Sequence, residues 1–259
     1  MRIGRLLTWV VAAVLSVLLT LLAFCPAAWM AVLVEAQTGG RLTLGDAQGT
    51  LWNGSAFIGG APSGADPVTP LLPGRFQWRL SPLVLLGQVD LRLQNSAALS
   101  QPVSIAGSWN QWELSPAAVS LPAERLAALG APLNTIQPSG RMRLSWTPLQ
   151  LSRSGNALDV NGTMTLRMDD IASRLSPIKP LGAYQLIMDW HGRQAQLKLT
   201  TLKGPMLLNG TGSLNNGRLR FSGTAEAEAG QEERLANLLN LLGQRRVVNG
   251  KNVIALEFK

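Results

Sequence analysis

The spacing of hydrophobic and polar positions changes once along this chain, near residue 40. From Leu6 to Val34 there is no charge at all, with Arg2 and Arg5 before the run and Glu35 after it. A helix needs about 20 mostly apolar residues to cross a bilayer core, whereas a secretory signal core is about 7 to 15. The run is long enough to span, and Leu6, Leu7, Trp9, Val14, Leu18, Leu22 and Trp29 mark the predicted anchor. Two arginines on the short N-terminal side predict that this end stays in the cytoplasm and that everything after Glu35 is exported. Pro26 and Trp29 suit the outer interface, where a helix can break and Trp sits at the headgroups. A cleaved signal peptide is the competing reading, with Ala27, Ala28 and Ala31 as its small residues. Lipid attachment at Cys25 is disfavoured because Phe24 precedes it.

From Arg41 onward the period is two. Phe76, Trp78 and Leu80 alternate with Arg75, Gln77 and Arg79, and Val89, Leu91 and Leu93 follow on the next predicted strand. Further strands are expected over 103–109, 112–114, 156–160, 163–168, 184–190, 195–199, 205–208, 212–214, 218–223 and 253–258. Asn-Gly occurs at Asn53-Gly54, Asn161-Gly162, Asn209-Gly210, Asn216-Gly217 and Asn249-Gly250. Both residues tolerate positive φ, so each pair predicts a tight hairpin turn. Ala61 to Pro73, rich in Pro, Gly and Ser, reads as a loop. Short helical segments are expected over 122–129 and 170–175. The convincing amphipathic helix is 231–242, with Leu235, Leu238, Leu239 and Leu242 at helical spacing. Gly74 to Leu83 and Gly140 to Leu149 match without a gap, which suggests two related half-sheets. The expected organisation is an anchor over 1–34, a first half-sheet over 35–130 and a second over 131–259.

This inventory predicts a mainly β fold: an N-terminal transmembrane helix followed by an antiparallel, hairpin-connected β domain with one or two short helices. So little helix cannot cover the apolar face of that much sheet, and leaving it wet costs about 25 cal/mol per Å². The sheet must fold on itself, pack on a second sheet, or keep a groove filled by something apolar.

Charge and composition narrow the function. The chain of 259 residues carries a net charge of +8, which falls to +6 without Arg2 and Arg5. A basic exported body suits anionic lipid or an acidic protein partner, and nucleic acid is not expected outside the cytoplasm. The single cysteine, Cys25, lies in the anchor, so no intramolecular disulfide is expected. His191 is the one histidine and sits in a predicted turn. Parts for a transition-metal cluster or a cysteine nucleophile are therefore missing. Asp169 and Asp170 read as a helix cap rather than a calcium site. No phosphate loop is present, and no cofactor or enzymatic activity is expected.

Several stretches resemble the type II (general) secretion pathway protein N family of Gram-negative bacteria. These are the Arg-led anchor, Gly49-Thr50-Leu51-Trp52-Asn53-Gly54, and Gln77-Trp78-Arg79-Leu80-Ser81-Pro82-Leu83. They continue with Pro180 to Tyr184, Leu202 to Leu208 and Ala236 to Gly243. The resemblance implies a single-pass inner-membrane protein with its bulk in the periplasm. It also implies an accessory role in protein secretion, with other secretion-system components and inner-membrane lipids as partners. The family brings no catalytic residues. Gly49, Thr50, Leu51, Trp52, Gly54, Trp78, Arg79, Leu80, Ser81, Pro82 and Leu83 are the candidate interaction residues. The sheet is also similar to the groove-shaped β domains of AsmA-like envelope proteins, which makes lipid handling the alternative function.

Overall fold

The computed structural model describes residues 2–40, 42–60, 69–125, 137–155, 157–248 and 251–258. The side chains of residues 2–8, 18, 69, 247, 248, 251, 252 and 258 lie outside the description. Two helices come first, α1 (Arg2–Ala23) and α2 (Ala28–Thr38). The apolar run is thus not one continuous helix. Pro26 lacks the N–H that would bond the Leu22 carbonyl, its ring clashes with that carbonyl, and it disfavours helical backbone at Cys25. After the break, α2 lies against the sheet, with Ala27 buried beneath it. Gly39, at φ +60°, ends α2 and donates its N–H to the Glu35 carbonyl. Among the described residues no helix is long and apolar enough to cross a membrane, so the predicted span over 6–34 is not found as a single element.

Strands fill most of the remainder: β1 (Leu42–Gly49), β2 (Asn53–Gly60), β3 (Thr69–Pro70), β4 (Phe76–Leu80), β5 (Gln88–Gln94), β6 (Val103–Ser108), β7 (Gln111–Leu114) and β8 (Ala117–Pro122). Then come β9 (Pro138–Trp146), β10 (Leu149–Ser154), β11 (Ala157–Ser173), β12 (Gly182–Gly192), β13 (Gln194–Lys203), β14 (Met206–Asn215) and β15 (Arg218–Ala227). Helix α3 (Glu232–Leu242), β16 (Gln244–Val248) and β17 (Lys251–Phe258) close the fold. A 3-10 turn over Pro82–Leu86 joins β4 to β5. The fold is mainly β, as the alternation predicts.

All the strands belong to one antiparallel sheet. Its order is a meander, β1–β2–β4–β5–β6–β7 and then β10–β11–β12–β13–β14–β15, ending in β17 and β16. Strands β9 and β10 together run beside β11 and are interrupted only at Thr147-Pro148. Likewise β7 and β8 run beside them, interrupted at Ser115-Pro116. The Trp146 indole donates to the Ser115 carbonyl at 2.9 Å, bracing both interruptions.

Register carries one apolar face across the whole meander. Leu44 opposes Ile58, Trp78 opposes Leu93, Leu91 opposes Ile105, and Ile105 opposes Leu114. Leu114 then opposes Leu149, Met164 opposes Met188, and Leu186 opposes Leu199. Two helix-covered cores sit on this face. At the N-terminal end Ala27, Ala56 and Trp78 are buried, with Met30, Leu44, Ala47, Leu91 and Leu93 packed around them. At the other end Leu235, Leu238 and Leu239 of α3 pack on Leu181, Tyr184, Met206, Ala225, Ile254 and Leu256. Between them Leu166, Leu186, Met188 and Leu197 stay half-buried.

Several local expectations change. Of the five Asn-Gly pairs, Asn216-Gly217 forms the β14–β15 turn with positive φ at both residues. Asn249-Gly250 lies outside the described residues. The other three sit within strands, where the missing Cβ admits a neighbour: one on Gly54 would lie 2.5 Å from the Trp78 ring, and one on Gly210 2.5 Å from the Phe221 ring. Residues 170–173 belong to β11 rather than to a helical turn, because a bulge between Met168 and Ile171 takes up the strain. Asp170 there has φ +53° and pairs with Arg141 at 2.6 Å. Of the helix expected over 122–129, Pro122 belongs to β8, residues 123–125 form a 3-10 turn, and 126–129 lie outside the described residues. Strand β16 has no counterpart in the sequence reading.

Candidate functional site at the helix–sheet junction

The two motifs around Trp52 and Trp78 are far from the chain's other features in sequence but form one site where α1 meets the sheet. Gly49 ends β1 with φ +86°, and its carbonyl accepts from the Ala27 N–H at 3.1 Å. A Cβ there would lie 2.5 Å from the Asn53 carbonyl oxygen, so the tight turn requires glycine. Thr50 bridges Pro26 and closes the turn: its N–H donates to the Asn53 carbonyl at 3.0 Å, and its Oγ1 accepts from the Asn53 N–H at 3.1 Å. The Leu51 N–H donates to the Cys25 carbonyl at 2.8 Å.

Trp52 makes the longest reach. Its indole Nε1 donates to the Leu22 carbonyl at 2.8 Å, an acceptor at the α1 C-terminus that Pro26 cannot satisfy. Behind it the Trp78 indole donates to the Leu51 carbonyl at 3.0 Å, and the Leu80 N–H donates to the Trp52 carbonyl at 2.7 Å. Trp78 is 5% exposed and lies opposite Gly54. The second motif therefore holds the first from below, and the first holds the helix end. Ser81 caps the 3-10 turn, its Oγ accepting from the Leu83 N–H at 3.3 Å, and Pro82 opens that turn. Leu83 is exposed on it.

Arg79 points to the opposite, polar face. It stands directly across from Arg92, and further along the sheet Arg143 stands across from Arg167. All four are exposed. Arg167 pairs with Asp169 at 3.1 Å, while among the described residues Arg79, Arg92 and Arg143 have no ion-pair partner. Like charges opposed across a ladder are unfavourable unless something anionic meets them.

The predicted anchor residues Leu6, Leu7, Trp9, Val14, Leu18 and Leu22 lie on α1, while Trp29 is on α2. Trp9, Val14, Leu22 and Trp29 are all exposed. Sequence reasoning did not find the partners of these motifs, Cys25, Ala27 and Leu22, nor the arginine opposition. The Pro26 break was the available signal for the former.

Other chemistry is sparse. His191 is exposed and lies 3.2 Å from Asp189. Among the described residues no group of His, Cys, Asp and Glu could hold a metal ion. A concavity of about 1310 Å³ lies open on the polar face of β13–β15 between Gln196, Arg220 and Glu257. Burial pushes the Tyr184 hydroxyl well above the usual tyrosine range; it donates to the Met206 carbonyl at 3.0 Å within the α3-covered core.

Residues 40–254 match the family model of the type II secretion system protein N. The chain belongs to the type II secretion system protein N family. The match begins after α2 and covers nearly the whole sheet, including both motifs of the junction. This makes it a component of the type II protein secretion machinery. No curated protein and no solved structure matches the chain.

Proposed function

We propose that the protein is a non-enzymatic accessory subunit of this machinery. It is anchored in the inner membrane by α1 and docks other inner-membrane or periplasmic secretion components through its sheet. The junction carries the reading: Leu22, Cys25 and Ala27 at the helix end are hydrogen-bonded to Trp52, Leu51 and Gly49 of the sheet. A sheet gripped this way is held in one orientation beside whatever contains α1.

Membrane insertion of α1 is supported by its surface. Val10, Val11, Val14, Leu15, Val17, Leu19 and Leu21 are exposed along a helix whose end meets the sheet at Leu22. A broad exposed apolar surface of this kind suits lipid better than water. Docking is supported by the Arg79–Arg92 and Arg143–Arg167 oppositions, which suit an acidic partner surface. Photocrosslinkers placed at Arg92 and Arg143 in cells should trap other secretion components. Recovery of none, together with normal secretion in a deletion strain, would remove this reading.

The alternative, an AsmA-like lipid-handling groove, is favoured by one observation. The apolar face at Leu166, Leu186, Met188 and Leu197 is left half-covered between the two helix-capped cores. Mass spectrometry of gently extracted protein decides it, since this reading requires co-purifying acyl chains.

A further inference from the structure

An apolar projection lies beside the junction, and of its residues Leu83 alone belongs to the motifs described above. The 3-10 turn after β4 exposes Leu83, Leu85 and Leu86, the last by 83%. Trp109, at the tip of the β6–β7 hairpin, is 56% exposed, and its indole donates to the Val84 carbonyl, so the two tips are joined. No charge occurs from Leu80 to Val89 or from Val103 to Trp112.

Register places this projection on one particular rim. Because the sheet is a meander, alternate turns share a rim: the one at 50–52, the 3-10 turn, and the turns at 109–110, 155, 193 and 216–217. The helix α1 reaches that rim at Trp52, and Leu80, whose N–H donates to the Trp52 carbonyl, leads directly into the 3-10 turn. The two turns nearest the helix are apolar. The described turns farther along the same rim are flanked by Arg153, Arg193 and Arg218 instead. Exposed leucines grouped with an edge-placed Trp are what an interfacial membrane contact presents, with the apolar side chains buried about 5–10 Å into the headgroup and acyl boundary and Trp at the headgroups.

We propose that Leu83, Leu85, Leu86 and Trp109 form a membrane-dipping tip that enters the leaflet from which α1 emerges. The bilayer then holds the sheet at two points, the helix and the tip. The first point stops the domain leaving and the second stops it swinging. The proposal rests on the reading of α1 as the membrane anchor. Because the tip is uncharged, its insertion does not depend on headgroup charge.

The test uses the full chain with Cys25→Ser, reconstituted in phosphatidylcholine liposomes and in liposomes that also contain phosphatidylglycerol. Single cysteines are introduced as Val14→Cys, Leu86→Cys, Trp109→Cys and Ser96→Cys, labelled with an environment-sensitive fluorophore, and quenched by lipids carrying nitroxides at graded depths. Ser96 is the control, exposed on the opposite rim. The expected result is deep quenching at Val14, shallow quenching at Leu86 and Trp109 in both lipid mixtures, and none at Ser96. Adding Leu85→Asp and Leu86→Asp should reduce quenching at Trp109→Cys to the Ser96 level while leaving Val14 unchanged. If Val14 is quenched and both tip labels behave like Ser96, the tip is overturned alone, and a protein partner becomes its occupant. If Val14 is not quenched, the anchor reading fails and the tip falls with it.

Discussion

The indole of Trp52 donates to the Leu22 carbonyl at 2.8 Å, and Leu22 is the residue whose helical partner would have been the N–H that Pro26 lacks. The sheet thus adds a donor to a carbonyl that otherwise accepts from the Cys25 N–H at 3.4 Å. Pro26 breaks the apolar run, and Trp52, 30 positions from Leu22, makes the break specific.

Trp52→Phe should loosen that junction while keeping most of the ring. We expect loss of about 1 kcal/mol of stability, typical of one hydrogen bond, and faster cleavage by a chymotrypsin-like protease after Phe24. An unchanged cleavage rate would show that the helix end is held by other contacts.

Gly54→Ala tests how tightly the two motifs meet. The added methyl would lie 2.5 Å from the Trp78 ring and 2.7 Å from the Thr50 carbonyl oxygen, so a cost of about 1–3 kcal/mol is expected. In the Trp78→Ala background the ring clash disappears, and the two substitutions should be clearly non-additive in chemical denaturation.

Among the Asn-Gly pairs, Gly210→Ala and Gly217→Ala should fail for different reasons. At Gly210 the methyl meets Phe221 and the Gly223 backbone. At Gly217 there is open space but φ is +80°, which costs about 1 kcal/mol. Gly217→Asn should therefore be tolerated, because Asn adopts positive φ, whereas Gly210→Asn should destabilise more than Gly210→Ala.

Leu235→Ala should cost about 2–5 kcal/mol, since this residue is fully buried where α3 covers the sheet. On the same helix Leu241 is 68% exposed, and Leu241→Ala should leave the thermal midpoint nearly unchanged.

Alkaline pH should destabilise the fold through Tyr184. Burial raises its pKa in the folded state, while the unfolded value is about 10. Its contribution is full below pH 10 and declines as pH rises further, because the unfolded chain releases the proton first. Tyr184→Phe should lose the bond to Met206 at neutral pH and flatten this alkaline decline, as read from denaturation midpoints across pH.

The sequence made some of this legible and left the rest unread. Alternation placed Phe76, Trp78 and Leu80 on one side of a strand and Arg79 on the other, as the structure has them. Leucine spacing located α3 to within a residue. Asn-Gly, by contrast, was ambiguous: the same absence of a side chain that permits positive φ also permits close packing; Gly54 and Gly210 use the second property, and Gly162, at φ +132°, uses both. Strand β16 was missed because Arg245 and Arg246 interrupt any alternation there.

By itself, then, the chain determined that a basic, mainly antiparallel β body follows an uncharged apolar N-terminal run, and that its strands are apolar on one face. Only the tertiary structure decided that the strands join one meander capped by a helix at each end, that Trp52 meets Leu22, and that Arg79 stands opposite Arg92. The reason lies in what periodicity encodes. A period of two fixes which side of its own strand a residue occupies. Which residue lies across from it depends on register, and that is set by turns, bulges and contacts between segments far apart in sequence.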